Sequence, residues 1–282
     1  MNPAVAAAVL GAAVLHGTWN AIAKAIPDRL ASSTLIGLVY LVLGAVGCLL
    51  LPAPAPASWP YLAASVLVQT LYLVLLTAAY AHSEFSVAYP MARGSAVLGV
   101  TVFAVAVLGE RFDALQTAGI VLVIGALLSL PFIRRAGTSR VGTLLAVATG
   151  ATIAVYTVLD GIGVRQTAAP LGYASWGFLL QGIAIPVVCL LLARDRRVML
   201  GAMRSRWVVG SIGGVLSLVA YATVLWAQSV APLALVSALR ETSVLLAGVI
   251  GLLLFHEPFS KARTAATAIA VVGVLALQLG MP

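Results

Sequence analysis

The sequence predicts an all-α polytopic membrane protein of ten transmembrane helices arranged as two inverted five-helix repeats. Three observations carry that expectation. Of 282 residues, 62% are hydrophobic and 9% charged, and mean hydropathy is +1.10, against the quarter charged of soluble globular chains. The apolar residues fall into ten segments of membrane-spanning length. The fourth and ninth segments repeat each other, charges included.

A bilayer core about 30 Å thick needs roughly 20 apolar residues per helix. Segments near 4–26, 32–51, 59–81, 87–108, 114–133, 141–160, 171–193, 207–229, 233–255 and 263–280 meet that length. Between them lie short turn-rich or charged stretches, among them "PDRLAS", "PAPAPAS", "GERFD", "RDRRVMLGAMRSR" and "HEPFSKAR". None is long enough for a soluble domain. The N-terminal stretch lacks the basic region of a signal peptide and reads as the first span.

At an offset of 147, Arg93, Val97, Leu98, Val102, Glu110 and Phe112 meet Arg240, Val244, Leu245, Val249, Glu257 and Phe259, and Thr117 meets Thr264. Chance likeness between apolar helices would match valines and leucines, not both charges. The expected units are residues 1–136 and 137–282. Five spans per unit force the second copy to enter from the opposite face, the inverted-repeat plan of many secondary transporters. Twelve basic residues fall in the gaps after segments 1, 5, 7 and 9, while the opposite face holds only Arg111 and Arg165. The positive-inside rule therefore places both termini outside the cytoplasm.

The net charge of +8 is scattered through these gaps rather than along one helix face, so nucleic acid is not an expected partner. Cys48 and Cys189 sit in apolar segments without metal-ligand spacing and read as small buried hydrophobes. "HEPFS" at 256–260 fails as a zinc helix, because Ser260 stands at the second histidine position and Pro258 breaks the helix. "GIGVRQ" at 161–166 is an incomplete dinucleotide fingerprint on a membrane segment, and neither a GxSxG elbow nor a P-loop occurs. No cofactor and no enzymatic activity are expected.

The candidate site rests on polar groups inside spans. His16, Asn20 and Lys24 recur every four residues on segment 1, and Thr152, Tyr156 and Asp160 do so on segment 6, matching them at an offset of 136. Such stripes face a bundle interior or a watery cavity, since hydrocarbon offers them no partners. Lys24 and Asp160, near the expected segment ends, have the alternative of reaching headgroups. His16 is the histidine deep within a span and, with an unperturbed pKa near about 6.5, is the candidate proton carrier, with Glu241 and Asp160 as alternatives.

Arg93 enters about six residues inside its segment, roughly 9 Å deep at about 1.5 Å per residue. Snorkelling explains one such arginine; a duplicated pair points to a shared role with Arg240. Glu241 follows Arg240 directly, and helix neighbours about 100° apart make poor partners. For Arg93 the candidate partners are Asp160, Glu84 and Glu241. Trp19, Tyr72, Tyr80, Tyr89, Tyr156, Tyr221 and Trp226 also lie within spans and are candidates for an amphipathic pocket wall. Gly94, Gly99, Gly213 and Gly214 are expected to permit close helix packing.

"HGTWNAIAK" in segment 1, "YPMARG" in segment 4, "LGERF" after it and "LRETSVLLAGVIGLLLFHEPF" in the second half resemble EamA-type members of the drug/metabolite transporter superfamily over nearly the whole chain. The resemblance implies a central cavity between the halves, alternating access and export of amino acids or other small metabolites. It implies a multi-pass protein of a bacterial inner membrane, acting as a monomer in the lipid bilayer. Relatives with amino-acid substrates have both termini in the cytoplasm, opposite to the orientation that the loop charges predict here. The alternatives are an anionic substrate, such as a phosphonate or a nucleotide-sugar related metabolite, and a membrane-embedded lipid enzyme or scramblase.

Overall fold

The computed structural model describes residues 2–24, 26–83, 85–133, 139–243 and 261–279. Among them it contains ten α-helices: α1 (Pro3–Lys24), α2 (Arg29–Leu50), α3 (Trp59–His82), α4 (Phe85–Ala106), α5 (Ala114–Ile133), α6 (Arg140–Arg165), α7 (Pro170–Leu192), α8 (Arg196–Val230), α9 (Leu233–Arg240) and α10 (Lys261–Leu279). Residues 56–58 add one turn of 3-10 helix. Six of the helical segments are long and apolar enough to cross a bilayer: those of α2, α3, α4, α6, α7 and α8.

Local signals start the helices where the polar gaps place them. Asp28 caps α2, its carboxylate accepting from the backbone N–H groups of Leu30 at 2.9 Å and Ala31 at 3.0 Å. Ser139 and Asp195 do the same for α6 and α8. Each cap satisfies donors that helix geometry leaves unpaired.

Two boundaries differ by several residues from the sequence expectation. Helix α6 runs on to Arg165, beyond the expected end at 160, because Gly161 and Gly163 continue the helix and let it approach Leu233 and Tyr173. Asp160 thus lies more than a turn inside the helix. Helix α8 begins at Arg196 instead of 207; its first turns, capped by Asp195, form an arm that leaves helical geometry at Arg206 (φ −122°, ψ 16°) before the span starts. Of the ninth expected segment, the part from 244 onward lies outside the described residues, as do Glu84, Glu257 and the "HEPFS" stretch.

Packing links early helices to late ones. Helix α2 lies along α7, α1 along α8, α3 along α6, and α5 along α10, while α9 contacts α1 and α4. The α2–α7 seam is closed by glycines in a reciprocal pattern. A Cβ on Gly44 would lie 2.5 Å from the Leu179 backbone nitrogen, and one on Gly182 would collide with the Leu41 backbone nitrogen. The expected packing glycines also face neighbours: Gly94 meets Leu128, Gly99 meets Ala154, Gly213 meets Ile22 and Gly214 meets Val39. Val9, Val97, Leu127, Val224, Leu235 and Leu239 form part of a buried core, whereas Leu49, Leu67 and Leu191 project outward, as lipid-facing side chains do.

Candidate functional site

A cavity of about 230 Å³ lies among α1, α2, α3, α4, α6, α7 and α8. That is just below the roughly 300–1,000 Å³ of drug-sized sites, a volume suited to a small metabolite. His16, Trp19, Asn20, Tyr72, Tyr80, Tyr89, Arg93, Tyr156 and Tyr221 all line it. Tyr156 of α6 stands 5.9 Å from Tyr72 and 6.4 Å from Tyr221 by ring centroids, both pairs edge-on, so aromatic edges and hydroxyls share the wall. Trp226 packs against the apolar core instead, and is not among the lining residues.

Arg93 is 5% exposed and makes three contacts at once. Its Nη2 donates to His16 Nε2 at 2.6 Å, its Nε lies 3.3 Å from Glu241 Oε2, and its guanidinium carbon sits 5.6 Å from the centre of the Tyr89 ring. Of the three partners left open for Arg93 by the sequence, the structure shows Glu241. His16 is tied on its other side to Trp19, whose Nε1 is 3.2 Å from Nδ1. A neutral imidazole has one acceptor nitrogen. The shorter contact assigns it to Arg93, so the Trp19 ring rests on the histidine mainly by its edge-on contact, with centroids 5.2 Å apart.

Arg240 and Glu241 stand behind the wall and are 3% and 1% exposed. Contrary to the expectation that helix neighbours make poor partners, Arg240 Nε lies 3.5 Å from Glu241 Oε1. The 100° rule separates Cβ atoms within a continuing helix. Here α9 ends at Arg240, Glu241 is its C-cap, and both long side chains fold back to one buried point. Among the described residues two guanidiniums thus share one carboxylate, and this three-residue cluster carries a net positive charge. Neither Glu241 oxygen accepts an aligned hydrogen bond, and Arg240 Nη2 has no partner among the described residues.

Sequence reasoning missed part of the wall: Arg29, Ser32, Ser33 and Tyr40 on α2, Gln69, Thr70 and Thr77 on α3, and Gln181 and Ser217 further on. The signal was present, since Arg29, Ser32, Ile36 and Tyr40 recur at helical spacing, as do Gln69, Leu73, Leu76 and Tyr80. Among the described residues no aspartate or glutamate lines the cavity. The wall extends to the exposed Arg29 at the start of α2, whose guanidinium covers the Tyr80 ring at 5.0 Å. The cavity therefore reaches the surface at the α1–α2 end.

The opposite end is pinned. Gly109, at φ 67°, turns the chain after α4, and the Glu110 N–H donates to the Ala104 carbonyl at 2.9 Å. The Glu110 carboxylate then accepts from the N–H groups of Leu233 at 2.7 Å and Ala234 at 3.3 Å, capping α9. Arg165 donates to the carbonyls of Gln228 at 2.9 Å and Ala231 at 2.7 Å, and lies 3.9 Å from Glu110. This latch ties the α4–α5 turn, the end of α6 and the α8–α9 link.

Fold and cavity together define a polytopic helical membrane protein built around an internal cavity of small-metabolite size. Residues 140–278 match the EamA-like transporter family. Over that second half the chain is similar to a family of membrane transporters of small solutes. A solved structure titled "Crystal structure of protein" is similar in fold, with a TM-score of 0.74 at 20% identity, over 99% of this chain and 98% of the other. No curated protein matches.

Proposed function

We propose that the protein is a secondary carrier that exports small zwitterionic metabolites, amino acids first, by alternating access through the central cavity. The observation that carries this reading is the charge arrangement: Arg93 on the wall, Arg240 behind it, one shared Glu241, and no carboxylate among the described lining residues. A planar guanidinium pairs with a carboxylate through two parallel donors, so a solute carboxylate fits where Glu241 leaves the arginines under-compensated. The hydroxyls of Tyr72, Tyr156 and Tyr221 and the amide of Asn20 then surround the rest of the solute. The same charge suits an anionic metabolite, which is the second reading.

The two-unit plan, 1–136 and 137–282, supports alternating access. Helix α1 leans on α8 of the other half, as α6 leans on α3, and the Gly44–Leu179 and Gly182–Leu41 contacts exchange roles across one seam. That reciprocity is what two inverted five-helix repeats, ten spans in all, would produce. With both termini outside, the open Arg29 end faces the cytoplasm and the Glu110–Arg165 latch closes the far side. We place the carrier in a bacterial inner membrane as a monomer.

Proteoliposomes loaded with labelled amino acids, and separately with a phosphonate, decide the matter. Protein-dependent efflux of amino acids supports the proposal, efflux of the phosphonate alone supports the second reading, and altered lipid without solute flux supports an enzyme.

A further inference from the structure

Behind Tyr221 and Gln69, off the cavity wall, lies a carboxylate that the substrate site does not use. Asp160, more than a turn inside the end of α6, is 3% exposed. Its Oδ1 accepts from Tyr173 Oη at 3.1 Å; its Oδ2 accepts from Tyr221 Oη and from Gln69 Nε2 at 3.4 Å, and Ser65 Oγ sits 3.0 Å from the same amide. Among the described residues no lysine, arginine or histidine forms an ion pair with it.

The surroundings are accounted for helix by helix. Helix α3 contributes Ser65, Gln69 and Tyr72, α7 contributes Tyr173, and α8 contributes Tyr221. Tyr156, on α6 itself, is in electrostatic reach of Asp160, Arg93, Arg240 and Glu241, and Arg240 is in electrostatic reach of Asp160 as well. The donors that touch Asp160 are neutral. A lone carboxylate in such a place is costly to keep charged, and intramembrane acids of this kind mark proton pathways.

The two oxygens are not equivalent. Oδ1 faces Tyr173, 1% exposed and packed in the core. Oδ2 faces Tyr221 and Gln69, both of which line the cavity. His16 is poorly placed for the same task, because Arg93 Nη2 already donates to its Nε2 at 2.6 Å and a protonated ring would oppose that cation.

We propose that Asp160 is a proton-binding site of the carrier, loaded from cavity water at Oδ2. The proton adds to Oδ2 and no other bond breaks. The new O–H is a donor where Tyr221 had donated, so the Tyr221 hydroxyl turns to accept and swings its own hydrogen toward the solute space. Protonation behind the wall thereby changes what the wall offers. This rests on the carrier reading for its purpose, but its detection needs no solute.

The test is infrared difference spectroscopy of the purified full chain in lipid, titrated from about pH 4 to pH 9 and read at the carbonyl stretch of a protonated carboxylic acid. The expected result is a titrating band that disappears in Asp160→Asn. Tyr221→Phe removes one donor to the charged form, so proton uptake becomes roughly tenfold tighter or more; this variant also guards against misfolding of Asp160→Asn. A wild-type protein with no titrating band, a band that survives Asp160→Asn, or a Tyr221→Phe titration superimposed on wild type overturns the proposal. A titrating band in a protein that moves none of the amino acids offered removes the amino-acid reading and leaves the proton site standing.

Discussion

Replacing Glu241 by Gln removes a carboxylate that two buried guanidiniums share. Its side chain is 0% exposed, and those of Arg93 and Arg240 are 6% and 3% exposed, at 3.3 and 3.5 Å. Breaking a buried pair by deleting one partner costs about 3–5 kcal/mol, because the other charge is left uncompensated. The absence of aligned hydrogen bonds to either Glu241 oxygen favours the lower end, ~3 kcal/mol. At about 2–4 °C per kcal/mol for a chain of this size class, the thermal midpoint in detergent should fall by roughly 6–12 °C, read by tryptophan fluorescence. Acetate should restore part of that loss in the variant, because it supplies the missing carboxylate, and do less for wild type; chloride at equal ionic strength is the control. A midpoint within about 2 °C of wild type, or equal acetate stabilisation of both proteins, refutes the idea that Glu241 holds the arginines and that they take carboxylates.

Arg93→Lys and Arg240→Lys should each lower amino-acid flux roughly tenfold or more at normal folded yield, since one ammonium cannot reproduce a planar fork; wild-type flux in both would return these residues to a structural role. Gly182→Ala should destabilise the α2–α7 seam by about 1–3 kcal/mol, because the Leu41 backbone cannot withdraw, and unchanged thermal unfolding would contradict that packing. Glu110→Gln leaves a neutral acceptor at the start of α9 and should weaken the latch by about 1–2 kcal/mol, with the partly exposed Arg165 pair adding little. In a background without Cys48 and Cys189, an Ala231→Cys reporter should then react roughly tenfold faster with an impermeant thiol reagent. An unchanged labelling rate would show that the latch does not hold that face shut.

The sequence carried the six spans of α2, α3, α4, α6, α7 and α8 because hydrocarbon imposes length and composition on a helix that crosses it. It carried His16, Asn20 and Arg93 because a polar group inside an apolar run stands out. It did not carry the end of α6, where glycines that resemble breakers serve instead for close approach to Leu233 and Tyr173. The Arg240–Glu241 contact was hidden because adjacency in sequence says little once a helix has ended. The α2 and α3 wall was hidden differently: serine and threonine in a span bond to their own helix, as Thr70 and Thr77 do, so only their spacing told which side they faced.

The Arg93–Glu241–Arg240 cluster has an electrical consequence. It fixes a net positive charge inside the bundle, between a cavity that reaches the surface at Arg29 and a latch that closes the other end. Water in the open cavity carries the adjacent bulk potential inward, so most of the membrane voltage falls across the latched side. Under the proposed alternating access, exchange of the open and closed ends would move the field to the other side of the cluster while the charge stays in place. One elementary charge crossing the full field corresponds to about 2.3 kcal/mol per 100 mV, and a fraction of that work attaches to each exchange. Even a solute of zero net charge would then be carried at a rate that depends on membrane voltage.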